Sequence, residues 1–402
     1  MEKPFILARI PQVLFRSGVI CELPAIVEGY GKNIVLVTGA GSFMSSGRAE
    51  RLLGQFRARG IKVRHVTVAG EPSPGVVDEA VSRLKGAGIS LVVSIGGGSV
   101  MDAGKAISAM LTTDGSVTDY LEVVGSREHP GTKVPFIAVP TTSGTGSEAT
   151  KNAVISRVGK EGFKRSLRHD NFVPDLAIID TELTLECPPD ITAAAGMDCF
   201  TQLTEAFLSD KGSPITDALA IEGLKAVSRS LLRSFTNGDD KEARSDMSFA
   251  ALMSGICLAN AGLGAVHGLA GTIGALYDIP HGVVCGTLMA PANEVNVREL
   301  RRVSRSGAVT DRYSAAVTSA VLGKYATLGR IFADATGKND NYYIDFFTDC
   351  LNALSYRLRM PKLSRYGLVH DDLAAICSLS DVKNNPVCLS EEQMLEILMS
   401  RI

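Results

Sequence analysis

The sequence predicts two units in succession: an α/β N-terminal domain built on a parallel sheet, residues 1–187, and an all-α C-terminal domain, residues 188–402. Three observations carry this. Short apolar, β-branched runs alternate with amphipathic stretches through the first half, the pattern of a parallel sheet covered on both faces. After Pro189 the strand signals fade and helical periodicity continues. At roughly 150 residues per domain, 402 residues make two or three folded units. A content of 45% hydrophobic and 21% charged residues is enough to bury a core, which excludes a disordered chain.

NIVLVTG (33–39) is the first clear strand, and SGRAERLLGQFRARG after it has helical spacing. IKVRHVT (61–67) repeats the strand signal and PGVVDEAVSRLKGAG the helix. LVVSI (91–95) runs into GGGS and the helical VMDAGKAISAML. VPFIAVP (134–140) is a fourth strand ending in TTSGTGS, and DLAIID (175–180) is the last before Cys187-Pro188-Pro189. Beyond that boundary, SPITDALAIEGLKAVSRSLLRSF (213–235) opens with Ser then Pro, a helix cap followed by a favoured first position. SEEQMLEILMSRI near the end starts in the same manner, with Ser and two glutamates. Residues 247–277 carry no charged side chain, yet include Asn260, His267 and six glycines. That composition reads as a buried helix pair rather than a membrane span.

Forty-one basic against 43 acidic residues leave a net charge of −2, with no electrostatic footprint for nucleic acid or an anionic membrane. Eight cysteines without a C-x-x-C pair imply reduced thiols and a cytoplasmic setting. The N-terminus lacks the apolar core of a secretion signal.

Several segments carry chemistry. In IGGGSVMDAGK (95–105), Gly97 and Gly98 let the backbone curl against a phosphate while Ser99 and the first helical N–H groups donate to it. VTGAGSFMSSG (37–47) resembles the cofactor loop of short-chain dehydrogenases, but none of the nine tyrosines has a lysine at +4, so that assignment fails. What survives is a turn at Gly39–Gly41, with Ser42, suited to an adenosine ribose or its phosphate. PTTSGTGSEAT (140–150) places hydroxyls, Thr141 and Thr142 among them, at the same carboxyl edge of the sheet, where open α/β folds bind ligands. Asp198 and Gln202 are four apart on one helical face, and His267 and His281 are separated by fourteen residues with Pro280 between. Two histidines, a carboxylate and an amide carbonyl suit a divalent metal, although a lone histidine on an apolar helix is more often simply packed.

GGGSVMDAGKA, VPTTSGTGSEAT, PDLAIIDTELTL, AAGMDCFTQLTEA, GAVHGLAG and IPHG together resemble, in order, the iron-containing (group III) alcohol dehydrogenases, whose fold is shared with dehydroquinate synthase and glycerol dehydrogenase. The resemblance covers nearly the whole chain. It implies a Rossmann-like nucleotide-binding domain, a helical domain, and between them a cleft where a divalent metal polarises an alcohol oxygen while hydride passes to nicotinamide. By position, Asp198, His267 and His281 match three of the family's metal ligands and its catalytic centre, and Gln202 stands where the fourth, normally histidine, belongs. Gly271 occupies the place of a further family histidine near the nicotinamide. The same resemblance assigns Gly97, Gly98, Ser99, Asp102, Thr141, Thr142, Asn152 and Lys164 to the cofactor cleft.

The expectation is therefore an oxidoreductase interconverting a small alcohol and an aldehyde or ketone with NAD(P), aided by Fe2+ or Zn2+. Gln202 puts the metal in question, since an amide oxygen is a weaker ligand than imidazole. Two alternatives stand beside this: a metal-independent reductase of the maleylacetate reductase type, and a nucleotide-binding protein whose catalytic site has decayed. Gly39 replaces the aspartate common in NAD-preferring members, which predicts a preference for NADP(H), with NAD(H) also accepted. The substrate pocket, by its glycines and Cys199, Cys257 and Cys285, reads as small and apolar. A homodimer is implied, with residues around 5–16 as a contact.

Overall fold

The computed structural model describes residues 4–306 and 315–402. In chain order the first part runs β1 (Gln12–Phe15), α1 (Leu23–Tyr30), β2 (Asn33–Gly39), α2 (Gly47–Ala58), β3 (Lys62–Val68), α3 (Pro74–Leu84), β4 (Leu91–Gly96), α4 (Gly98–Met110), β5 (Phe136–Pro140), β6 (Asn152–Arg157), β7 (Phe163–Arg168) and β8 (Leu176–Ile179). Six strands form one parallel sheet in the order β1-β8-β5-β4-β2-β3. The five strands anticipated are present within a residue or two. Their apolar runs are continuous because successive side chains serve opposite buried faces: Val35, Val37 and Val92 pack with α3 and α4, while Ile34, Leu36 and Leu91 pack with α1 and α2.

β1, inside the N-terminal strand region expected at a dimer contact, pairs in parallel with β8 at the sheet edge. One feature was not anticipated. β6 and β7 form a separate antiparallel hairpin that carries Asn152 and Lys164. Its strands are half polar, which masked them against the strong apolar runs on either side.

The second part is helical, with no strand among the described residues: α5 (Pro189–Leu208), α6 (Pro214–Thr236), α7 (Lys241–Ala261), α8 (Ala265–Leu276), α9 (His281–Ser306), α10 (Ala315–Phe332), α11 (Asp340–Arg357), α12 (Leu373–Leu379) and α13 (Glu391–Met399). Local chemistry explains the helix starts. Ser213 Oγ accepts the Thr216 N–H with Pro214 following, and Ser390 closes a capping box with Gln393. The charge-free stretch is the α7–α8 pair, bent by 96° and mostly buried; no single described helix is long and apolar enough to cross a membrane.

Sheet and helices meet through the loop after β5. Gly146 has φ +62°, and a Cβ there would lie 2.3 Å from the Ala251 carbonyl oxygen. A Cβ on Gly255 of α7 would in turn sit 2.1 Å from the Gly146 carbonyl oxygen. Backbone touches backbone at this seam, so neither position tolerates a side chain. The contact holds the hydroxyl-rich loop against the helical part.

Candidate active site

The strand order reverses between β2 and β4, and their carboxyl ends, Gly39 and Gly96, lie side by side at the sheet edge. Such a switch point leaves a crevice for ligands. Above it a cavity of about 1380 Å³ opens between the sheet and the helices. Gly97, Gly98, Ser99, Asp102, Thr142, Asn152 and Lys164 line its sheet side. The start of α4 has no side-chain cap, so its first N–H groups are free to face an anion. A Cβ on Gly98 would meet Thr145 Oγ1 at 2.8 Å, so the helix start lies tight against the hydroxyl loop.

Gly39, Gly41, Ser42 and Thr141 do not line this cavity. The Thr141 N–H donates to the Gly96 carbonyl at 2.9 Å and continues the ladder between neighbouring strands. Gly39, Gly41 and Ser42 sit farther along the edge, at the end of β2.

Lys105, two turns into α4, was passed over by sequence reasoning. Its buried ammonium donates to the Ser147 carbonyl (2.9 Å), Thr150 Oγ1 (3.0 Å) and the Asn152 carbonyl (2.6 Å). It ties the glycine turn, the hydroxyl loop and the hairpin into one unit. Burial lowers its pKa to about 8, against the attraction of Asp102 and Glu148. Asp102 accepts from Ser147 Oγ at 2.6 Å, and Lys164 pairs with Glu71 at 3.1 Å.

The helical side of the cavity carries Asp198, Gln202, His267, Gly271 and His281. α5 starts at Pro189 rather than near Gly196, so Asp198 sits mid-helix, with Gln202 one turn on and Glu205 nearly another. His267 lies on α8, and the turn through Pro280 brings His281 back as the first residue of α9. His267 Nε2 is 3.2 Å and His281 Nε2 3.9 Å from Asp198 Oδ1.

Glu205 orders this centre. Its Oε1 accepts the Val266 N–H at 2.7 Å and its Oε2 faces His267 Nδ1 at 2.6 Å. A carboxylate only accepts, so Nδ1 carries the proton and Nε2 points at Asp198. The i, i+4, i+7 spacing of Asp198, Gln202 and Glu205 was the signal that would have found it.

A cysteine joins the expected aspartate and histidines. Asp198, His267, His281 and Cys285 have ligand atoms that all lie within 4.8 Å of one another, with Cys285 Sγ 3.5 Å from His267 Nε2 and 3.6 Å from His281 Nε2. Gln202, predicted as the fourth ligand, is buried beside them with Oε1 lacking any hydrogen-bond partner. Burial alone raises the Asp198 carboxyl, but the two imidazoles hold it below the usual carboxylate value. Burial also opposes charge on His267, yet Cys285, Glu205 and Asp198 raise it well above an ordinary histidine. His281 is driven by burial to about 3 and is a neutral imidazole. Burial pushes the Cys285 thiol up to about 12.

Lys211, Arg359, Arg365 and Lys383 also line the cavity, whereas Cys199, Cys257 and Cys285, expected at the substrate pocket, do not. The cysteines are buried behind it, packed among helices.

The sequence profile described as iron-containing alcohol dehydrogenase matches residues 11–181, and the C-terminal profile of the Fe-containing alcohol dehydrogenase family matches 192–402. The chain belongs to the iron-containing alcohol dehydrogenase family. It is 36% identical over 266 residues to long-chain-alcohol dehydrogenase 1 of Geobacillus thermodenitrificans, covering 66% of this chain and 67% of that one. An NAD-dependent methanol dehydrogenase of Bacillus methanolicus is 33% identical over 282 residues, 70% of this chain and 73% of its own. An NADPH-dependent butanol dehydrogenase of Clostridium saccharobutylicum is 29% identical over 378 residues, 91% of each. The solved structure of a 1,3-propanediol oxidoreductase superposes with a TM-score of 0.85 at 26% identity, covering 100% of both chains. As a member of this family the chain is an NAD(P)-dependent alcohol dehydrogenase, exchanging a hydride between an alcohol or carbonyl compound and nicotinamide.

Proposed function

We propose that this alcohol dehydrogenase acts on small alcohols and their aldehydes or ketones with a divalent cation held by Asp198, His267 and His281, and that it prefers NADP(H) to NAD(H). What carries the metal assignment is the donor set itself. His267 Nδ1 is engaged by Glu205 and its Nε2 faces Asp198 Oδ1 at 3.2 Å, an arrangement that needs a positive charge, either a cation between the two atoms or the proton of an imidazolium. A bound cation supplies Lewis-acid polarisation of the substrate oxygen, and the nicotinamide takes or gives the hydride.

The chain's own residues do the rest. Asp198 brings a buried negative charge to the site, Glu205 holds the Nδ1 of His267, and His281 presents a neutral ring from the start of α9. Gly97, Gly98 and Ser99 offer backbone N–H groups to the cofactor pyrophosphate, and Asp102, Thr142, Asn152 and Lys164 line the path toward the metal. The NADP(H) preference rests on Gly39, with Gly41 and Ser42 beside it, where no carboxylate repels a 2′-phosphate. Arg48, the nearest cation of α2, is committed to Glu186 at 2.6 Å and leaves that role to N–H and hydroxyl groups. A homodimer accords with the exposed Phe5, Ile6, Leu7 and Ile10 next to the edge strand. A cytoplasmic setting rests on the cysteine usage.

The test is steady-state oxidation of a panel of alcohols and reduction of the matching aldehydes, with both cofactors, on protein whose metal is counted in the same preparation. Turnover that follows metal content and a higher kcat/KM with the phosphorylated cofactor are the results expected. Full turnover without metal overturns the metal role, and a tenfold preference for NADH, about 1.4 kcal/mol, overturns the reading of Gly39.

A further inference from the structure

We infer that Cys285 is the fourth protein ligand of the metal centre, as a thiolate, so that this chain holds its cation with Asp198, His267, His281 and Cys285 and leaves Gln202 outside the ligand set. The inference rests on the metal reading above and goes on to the ligand set of the same site.

Geometry is the first ground. A tetrahedral cation with nitrogen, oxygen and sulfur ligands at about 2.0–2.3 Å sets those ligand atoms roughly 3.3–3.8 Å apart. The observed separations are 3.2 Å and 3.9 Å from Asp198 Oδ1 to the two Nε2 atoms, and 3.5 Å and 3.6 Å from Cys285 Sγ to the same two nitrogens. These four separations lie close to that range, and all the donor atoms are within 4.8 Å of one another. Cys285 follows His281 by one helical turn on α9, so both side chains leave the helix on the same side.

Charge and direction are the second ground. Asp198 and a Cys285 thiolate bring two negative charges into the ligand set itself; a neutral Gln202 amide in place of the thiolate leaves the second charge of a divalent cation to Glu205, which lies behind His267. Cys285 lies behind the cavity while Asp198, His267 and His281 line it. A ligand from behind leaves the cavity face of the site open to substrate. A lone thiol proton, by contrast, serves only one of the two Nε2 atoms that flank the sulfur. On binding, the S–H bond breaks, its proton passes to solvent and the sulfur lone pair goes to the cation. Sulfur, softer than the oxygen and nitrogen donors, also tilts the site from Fe2+ toward Zn2+ and Co2+.

The test strips the protein with chelator and adds Co2+ or Zn2+. One bound Co2+ with an intense near-ultraviolet thiolate-to-metal absorption is expected from the unaltered protein, which needs no variant to fold. Cys285→Ser should lose that absorption and bind Zn2+ more weakly by more than about 100-fold, the upper end of what an outer-shell partner costs. Cys350→Ser, on α11, should retain both. One equivalent of Co2+ bound without the absorption, or with it intact in Cys285→Ser, overturns the thiolate ligand and leaves the metal centre standing. Protein that takes up neither Co2+ nor Zn2+ overturns the metal centre and this inference with it.

Discussion

Replacing Glu205 by glutamine removes one charge and almost no volume, yet it should disable the site through a tautomer. Glu205 accepts from two donors at once, the Val266 N–H at 2.7 Å and His267 Nδ1 at 2.6 Å. A glutamine has a single acceptor oxygen and must turn its NH2 toward one of them. If the NH2 faces His267, the imidazole has to accept at Nδ1 and carry its proton on Nε2, the atom that looks at Asp198, and its lone pair is lost to a metal. If the amide flips, His267 keeps its tautomer but the buried Val266 N–H meets another donor, at a cost of about 1–3 kcal/mol. The first arrangement loses metal affinity and the second loses stability. Outer-shell losses of this kind cost roughly 10–100-fold in affinity, about 1.4–2.7 kcal/mol. Zn2+ affinity by competition with a chromophoric chelator, together with thermal unfolding of the metal-free protein, reads both branches. Glu205→Gln protein that matches the parent within twofold in affinity and within a degree in midpoint would refute the role given to Glu205.

Other substitutions test the remaining parts. Asp198→Ala should lower turnover more than tenfold, a loss above about 1.4 kcal/mol, because it removes the carboxylate that faces both imidazoles; a variant keeping more than a tenth of the rate places the chemistry elsewhere. Gly98→Val should weaken cofactor binding roughly 5- to 150-fold, since its Cβ would start 2.8 Å from Thr145 Oγ1 and overpacking costs about 1–3 kcal/mol. Calorimetric titration with NADPH checks it, and unchanged affinity removes the phosphate role of that turn. Gly271→Ala should raise stability by about 0.5–1 kcal/mol, because nothing lies within 4 Å of an added Cβ and α8 gains a better helix former. A lowered urea midpoint would contradict that open space.

The strands of the central sheet and the capped helices were legible because each is a local pattern. Continuous apolar runs follow from burial on both faces, and Ser213-Pro214 states its own helix start. The hairpin of β6 and β7 was not legible, since its half-polar strands gain definition only from the sheet side of the cleft they line. β1, inside the N-terminal strand region read from the sequence, is only four residues long and has its bounds set by β8 alongside. Thr141 lies in the hydroxyl-rich motif, and its backbone N–H extends the ladder to Gly96.

By itself, then, the sequence determined the two-part architecture, the glycine turn before α4, and the trio Asp198, His267 and His281, because periodicity and motif spacing are written in consecutive residues. Only the tertiary structure decided which atoms meet. Glu205 and His267 are 62 positions apart, and Cys285 reaches His267 from 18 positions away. Neither pairing has a local signature. Helix packing brings α5, α8 and α9 together at one point, and that meeting orients an imidazole and puts a cysteine read as part of the substrate pocket beside two histidines.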